Sequence, residues 1–317
     1  MKPILALLLG GLLCGASCQA LKPPPPAPPF KPLAELPNVP DLGPARWLEP
    51  GVLFHEVTLP REQPTRKLWV YLPERAGTEK LPCVFVAPAG SNLFTGNALG
   101  EGDRPEHLPY VRAGFAVVAY ELDGPLPETP EPADAQVVEA FNSFRAAEAG
   151  VSNARMAIDY ALAKIPQVDP EKLYAAGHSS AATLALLVAE REPRVKACAA
   201  YAPVTDIEAH LGAATVRTLS SGLKGFREFA RGNSPLTGAA HLRCPLFLFT
   251  ADDDSVVEPA QSARFAAAVG QLNPAVTYRR VPGGDHYDSM INEGVPSAVE
   301  WLRGLAGAAR PAPRLPR

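Results

Sequence analysis

From about residue 51 the chain alternates short β-branched or apolar runs with helical stretches, the pattern of a mainly parallel sheet covered by helices. Residues 52–59 and 67–72 alternate apolar and polar positions around a polar turn and predict an antiparallel start. Residues 83–87 (CVFVA) and 115–120 (FAVVAY) are apolar throughout, as strands buried on both faces must be. Further strands are expected at 173–176, 195–201, 245–250 and 276–281, and helices at 140–165 with a break near Gly150, at 182–190 and at 296–305. Residues 207–240 carry no strand signal and are expected to form a helical insertion, or lid, between two sheet strands.

The ends of the chain follow other patterns. Lys2 and the apolar run 4–13 form an export signal, and no run reaches the eighteen apolar residues of a spanning helix. Gly15-Ala16-Ser17-Cys18 resembles a bacterial lipobox with Gly15 where Leu is usual. That resemblance implies a lipidated Cys18 and a membrane tether; the alternative is plain secretion, with cleavage after Ser17 or Ala20. Residues 19–50 are dense in proline and predict an extended linker, and 307–317 a disordered tail. One domain, residues 51–306, lies between them. An exported protein, periplasmic, at the cell surface or secreted, is the expectation.

Composition narrows the chemistry. A net charge of −3 and a pI near 6.1 give no electrostatic footprint for nucleic acid. Outside the leader the cysteines are Cys83, Cys198 and Cys244, each at or beside a predicted strand, and they read as buried apolar thiols rather than a disulfide framework. None has His or Cys at metal-ligand spacing, so neither a metal nor another cofactor is expected. Oligomeric state is not encoded in any pattern of this chain.

The candidate chemistry centres on Gly177-His178-Ser179-Ser180-Ala181, which follows an apolar strand and opens an Ala-rich helix. A nucleophile elbow needs that setting: the serine sits in a strained strand-to-helix turn, and small residues two before and two after it let strand and helix approach. Gly177 and Ala181 meet the demand, and His178 is read as a bystander rather than a base, since in this turn its side chain leaves in a different direction. The second match, Gly232-Asn233-Ser234, has no strand ahead of it and Pro235 behind.

A serine hydroxyl needs a base, and the base an orienting acid, in the chain order serine, acid, histidine for such a sheet. Asp252, Asp253 and Asp254 follow the strand 245–250, and His286 follows the last strand on a Gly-rich loop. His55 and His107 precede the nucleophile strand and His210 and His241 flank the insertion, leaving His286 as the base. Asp206 is the reserve acid. For the oxyanion, one donor is the backbone N–H of Ser180 and the other comes from the loop Ala87–Asn92. Pro88 has no N–H, so Gly90 is chosen, with Ala89 and Ser91 as alternatives.

Val168-Asp169-Pro170-Glu171-Lys172 running into Ser179, the stretch Ser234-Pro235-Leu236 through Pro245, and Asp254-x-x-Val257 resemble the catalytic domain of the prolyl oligopeptidase and dienelactone hydrolase group of α/β-hydrolases. The resemblance runs from about residue 65 to 305. It implies an α/β-hydrolase fold, mainly parallel with a helical lid, and it selects Asp254 as the acid. It also implies acyl-enzyme chemistry by Ser179, Asp254 and His286 on a small ester or short peptide. Peptide-cleaving members carry a large propeller for which this chain has no room, which favours a carboxylic ester over a peptide. A non-catalytic binding protein on the same fold is the competing class, disfavoured because all three residues stand in order.

Overall fold

The computed structural model describes residues 39–60, 66–127 and 131–307; the export signal, Cys18, most of the proline-rich linker and the tail from residue 308 lie outside them. Nine strands form one sheet: β1 (Arg46–Glu49), β2 (Val52–Thr58), β3 (Lys67–Pro73), β4 (Leu81–Val86), β5 (Ala116–Tyr120), β6 (Val168–His178), β7 (Val195–Tyr201), β8 (Leu246–Ala251) and β9 (Val276–Val281). Their order is β1-β2-β3-β5-β4-β6-β7-β8-β9; the first three are antiparallel, β3 is antiparallel to β5, and β5 through β9 are parallel.

Within the proline-rich stretch, Arg46–Glu49, between Pro44 and Pro50, pairs with β2 as strand β1 at the edge of the sheet, where flanking prolines are tolerated.

Nine helices cover the sheet: α1 (Arg104–Arg112), α2 (Asp134–Ala146), α3 (Val151–Lys164), α4 (Ser180–Arg191), α5 (Ile207–Gly222), α6 (Phe226–Gly232), α7 (Pro235–Gly238), α8 (Pro259–Gly270) and α9 (Val295–Ala306), counted among the described residues. The period-two pleat sends alternate strand residues into two cores. Cys83, Phe85, Leu173, Ala175, Cys198, Leu246 and Leu248 pack with α3, α4 and α8 on one face. Val84, Val86, Tyr174, Ala176, Ala199, Phe247 and Phe249 pack with α1 and α9 on the other. Both faces are buried, hence the unbroken apolar runs of the sequence. Cys83, Cys198 and Cys244 are free thiols, the first two fully buried.

The break expected near Gly150 separates α2 from α3, where Glu148, Ala149 and Gly150 all take positive φ. The interval 207–240 is helical as expected, folding as α5, α6 and α7. Its recorded contacts tie it to the body of the domain: Phe226 packs edge-on to Phe94, and Phe229 edge-on to Phe141. They anchor the insertion and do not define a cover over a site.

Strand β4 leads by way of α1 to β5 on one side, and β6 leads by way of α4 to β7 on the other. The topological switch therefore lies between β4 and β6, and the crevice at their carboxyl ends is where ligands bind in sheets of this kind. The loop from Ala87 and the turn at Ser179 leave from those two ends, with Val86 in register with Ala176.

Candidate active site

Ser179 stands between β6 and α4 with φ 56° and ψ −120°, a region a non-glycine residue enters at a cost of about 1–3 kcal/mol. The surroundings hold it there. Its N–H donates to the Tyr201 carbonyl at 2.9 Å, extending the β6–β7 pairing past the last strand residue. Thr183 Oγ1 donates to the Val204 carbonyl at 2.9 Å and accepts from the Val204 N–H at 3.0 Å, clamping the first turn of α4. A Cβ at Gly177 would fall 2.4 Å from the backbone carbon and oxygen of Ala181, which is why only glycine fits two residues before the serine. Ser180 is the first residue of α4, where backbone N–H groups have no intrahelical partner and the helix dipole favours negative charge.

Asp254 and His286 come together from β8 and β9. His286 Nδ1–H donates to Asp254 Oδ2 at 2.7 Å. The other oxygen, Oδ1, accepts from the N–H groups of Val256 and Val257, both at 2.9 Å. Burial alone would raise the Asp254 pKa; the hydrogen bonds from His286 and from the Val257 and Val256 backbone outweigh it and hold the carboxyl below its ordinary value. Val257 is itself buried, so the Asp-x-x-Val spacing both caps the carboxylate and pins the turn to the core. With the Nδ1 proton committed to Asp254, the neutral imidazole carries its free lone pair on Nε2.

The other acids have different work. Asp206 caps α5, accepting the Ala209 N–H at 3.0 Å, and Asp252 pairs with Arg280. Across the crevice, Gly90 is exposed with φ 88° in a loop braced by Asn97, whose side-chain amide donates to the Ala89 carbonyl at 2.6 Å. The Ser91 N–H is engaged: it donates to Ser180 Oγ at 3.0 Å. Of the three residues considered for the second donor, Ser91 has its N–H already engaged.

A second histidine lies against this loop: the His178 Nε2–H donates to the His286 carbonyl at 2.9 Å, and the two ring centroids lie 4.5 Å apart. His210, on α5, is partly buried, and desolvation, then the charge of His286, lower its pKa, with Asp254 opposing. Val256 and Tyr287, 45% and 38% exposed, give the rim of the pair an apolar surface.

A serine in a strained elbow at the switch point of a mainly parallel sheet defines the class, an α/β-hydrolase fold. Residues 143–307, just over half of the 317, match the model of the prolyl oligopeptidase family, and the chain belongs to that family of serine hydrolases. That segment contains Ser179, Asp254 and His286. No curated protein matches the sequence.

Solved structures share the fold. A Mycobacterium tuberculosis puromycin-hydrolyzing peptidase is similar at a TM-score of 0.60 and 22% identity, over 87% of this chain and 41% of that one. Acetyl xylan esterase 1 from Thermoanaerobacterium sp. is similar at a TM-score of 0.57 and 16% identity, over 83% and 87%. An esterase of Pyrococcus furiosus is similar at 0.54 and 15%, over 84% and 99%. The chain spans about two fifths of the length of the first peptidases it matches.

Proposed function

We propose that the protein hydrolyses carboxylic esters through an acyl-enzyme formed on Ser179, with His286 as base and Asp254 as the acid that orients it. The observation that carries this reading is the Asp254–His286 hydrogen bond at 2.7 Å, in the same crevice as the strained serine. His286 Nε2 takes the Ser179 proton as Oγ attacks the ester carbonyl, and the imidazolium then returns it to the leaving alcohol. Water, activated by the same nitrogen, resolves the acyl-enzyme. The N–H groups of Ser180 and Gly90 stabilise the tetrahedral oxyanion.

Ester rather than peptide chemistry is favoured by the two esterases above, which are matched over 87% and 99% of their length. The short apolar rim of Val256 and Tyr287 suits a small acyl or alcohol group. A peptidase reading rests on the puromycin-hydrolyzing relative, matched over 41% of its chain.

The test is labelling by a fluorophosphonate probe, followed by a panel of acyl esters, acetylated xylan and proline-containing peptides. Labelling that disappears in Ser179→Ala, with turnover of esters above peptides, is the expected result. Labelling that survives the substitution would remove Ser179 from the mechanism, and faster peptide cleavage would reverse the substrate class. The export of the protein and the lipid on Cys18 are part of the same proposal; mass spectrometry of the mature N-terminus tests both.

A further inference from the structure

His286 sits on a loop with little stiffness of its own. Gly283 and Gly284 precede it with φ 71° and 81°, and glycine in that region constrains the chain least. Upstream the Asp252 N–H reaches the Val281 and Gly283 carbonyls, both at 3.1 Å, and downstream Asp285 Oδ1 accepts the N–H groups of Tyr287 and Ser289, both at 3.2 Å; none of these bonds is to the main chain of His286. Asp254 holds the imidazole through Nδ1, one of its two nitrogens. A ring tethered at one nitrogen still pivots as its backbone moves.

A bond to the main chain of His286 itself comes from the residue next to the nucleophile. His178 is the last residue of β6, with its side chain 5% exposed, and its Nε2–H donates to the main-chain oxygen of His286 at 2.9 Å. The ring also packs against Tyr287, with centroids 5.8 Å apart. On its far side, Nδ1 faces Glu106 Oε1 at 3.5 Å, on α1, and that carboxyl side chain is only 8% exposed. Carbonyl and carboxylate are both acceptors: the Nε2 bond to the first is made, while Nδ1, 3.5 Å from the second, makes no hydrogen bond among the described residues. Polar groups thus follow one another from Glu106 on α1 through His178 at the end of β6 to the loop after β9.

The geometry points to His178, backed by Glu106, as a positioning residue that fixes the main chain of His286 relative to Ser179. Ser179 and His178 are consecutive, so a rigid elbow sets both the nucleophile and the anchor of its base. The inference rests on the reading of His286 as that base. Misplacing a catalytic group by about 1 Å costs on the order of 10²-fold in rate, and an unanchored loop misplaces it without changing what the substrate touches.

The experiment measures kcat and KM of the full chain on p-nitrophenyl acetate, with thermal unfolding, for His178→Phe, His178→Gln, His178→Asn and Glu106→Gln. In His178→Phe kcat is expected to fall about 10²-fold with KM within about two-fold. A Gln side chain carries an N–H to the place of Nε2 and should restore kcat to within about five-fold of wild type, whereas the shorter Asn should not. Glu106→Gln should lower kcat by about ten-fold through the slackened ring.

A folded His178→Phe with kcat within about two-fold of wild type overturns the inference. Should the Phe variant fail to fold, the Gln and Asn variants decide, and equal kcat in the two overturns it. Ser179→Ala and His286→Ala, run alongside, separate the two failures: activity retained there removes the active-site reading itself, whatever the His178 series gives.

Discussion

The N–H of Ser91 donates to Ser180 Oγ at 3.0 Å, joining the loop after β4 to the first residue of α4 across the crevice. The donors proposed for the oxyanion are the N–H of Ser180 and that of Gly90, the residue before Ser91. On that proposal Ser180 has two tasks, as a backbone donor and as a side-chain clasp. Ser180→Ala keeps the N–H and removes the clasp. The expected result is a fall in kcat of about 10-fold, short of the 10²–10³ lost when a donor itself is removed. Steady-state kinetics checks it, and unchanged kcat would mean that the loop holds its place unaided.

Asp254 and Asp206 separate cleanly on substitution. Asp254→Asn retains an oxygen for the Val256 and Val257 N–H groups but withdraws the carboxylate from His286, which favours the wrong tautomer; kcat should drop by about 10⁴. Asp206→Asn preserves a good N-cap on α5, and both activity and stability should stay near wild type. Asp206→Ala should cost about 1 kcal/mol of stability with activity intact. Paired kinetics and urea melts read all three, and loss of turnover in Asp206→Asn would move the acid there.

Much of this was legible in the sequence because burial on both faces leaves continuous apolar runs, and each of β4 to β8 announces itself that way. The elbow was legible because Gly177 and Ala181 answer to a steric demand that acts over four residues. What escaped was written in no local pattern. Helix α1 carries Pro105 and Pro109, and the second removes a helical hydrogen bond, so its propensity argues against the helix that tertiary packing imposes. That helix delivers Glu106. The role of His178 depends on Glu106 and on the His286 carbonyl, 72 residues before it and 108 after it in chain order, and no spacing rule reaches that far. Strand β1 escaped because prolines on either side hide four residues of edge strand.

Glycines give a contrast in sign. Gly177→Ala places a Cβ 2.4 Å from the Ala181 backbone, which cannot yield as a flexible side chain would. It should destabilise the protein by about 1–3 kcal/mol and abolish fluorophosphonate labelling by displacing the elbow. Gly304, in the exposed last turn of α9, has nothing within 4 Å of a built Cβ. Gly304→Ala should stabilise by about 0.5–1 kcal/mol at unchanged activity. Chemical denaturation of the two variants checks both directions, and a stabilised, labelled Gly177→Ala would contradict the elbow geometry.

Glu190 on α4 gives the clearest dependence on pH. Its Oε1 is buried without a hydrogen-bond partner among the described residues, and a Cβ at Gly238 of α7 would collide with its other oxygen, so the carboxyl is packed in. Burial raises its pKa from 4.5 to about 8, with Arg191 pulling weakly the other way. In the folded state the group keeps its proton up to about pH 8, while in the unfolded chain it releases it above about 4.5. Between those values the folded state binds more protons, so stability falls as pH rises through the window and levels off above it. Asp103 and Asp123, raised to about 6 and about 7, add slopes of the same sign, so the wild-type curve alone does not isolate Glu190. Glu190→Gln keeps the shape and removes the titration. Urea midpoints of the two proteins should converge near pH 4.5 and diverge with rising pH, the variant being the more stable at pH 9. A difference that is the same at both ends would show that the carboxyl is ionised in the fold.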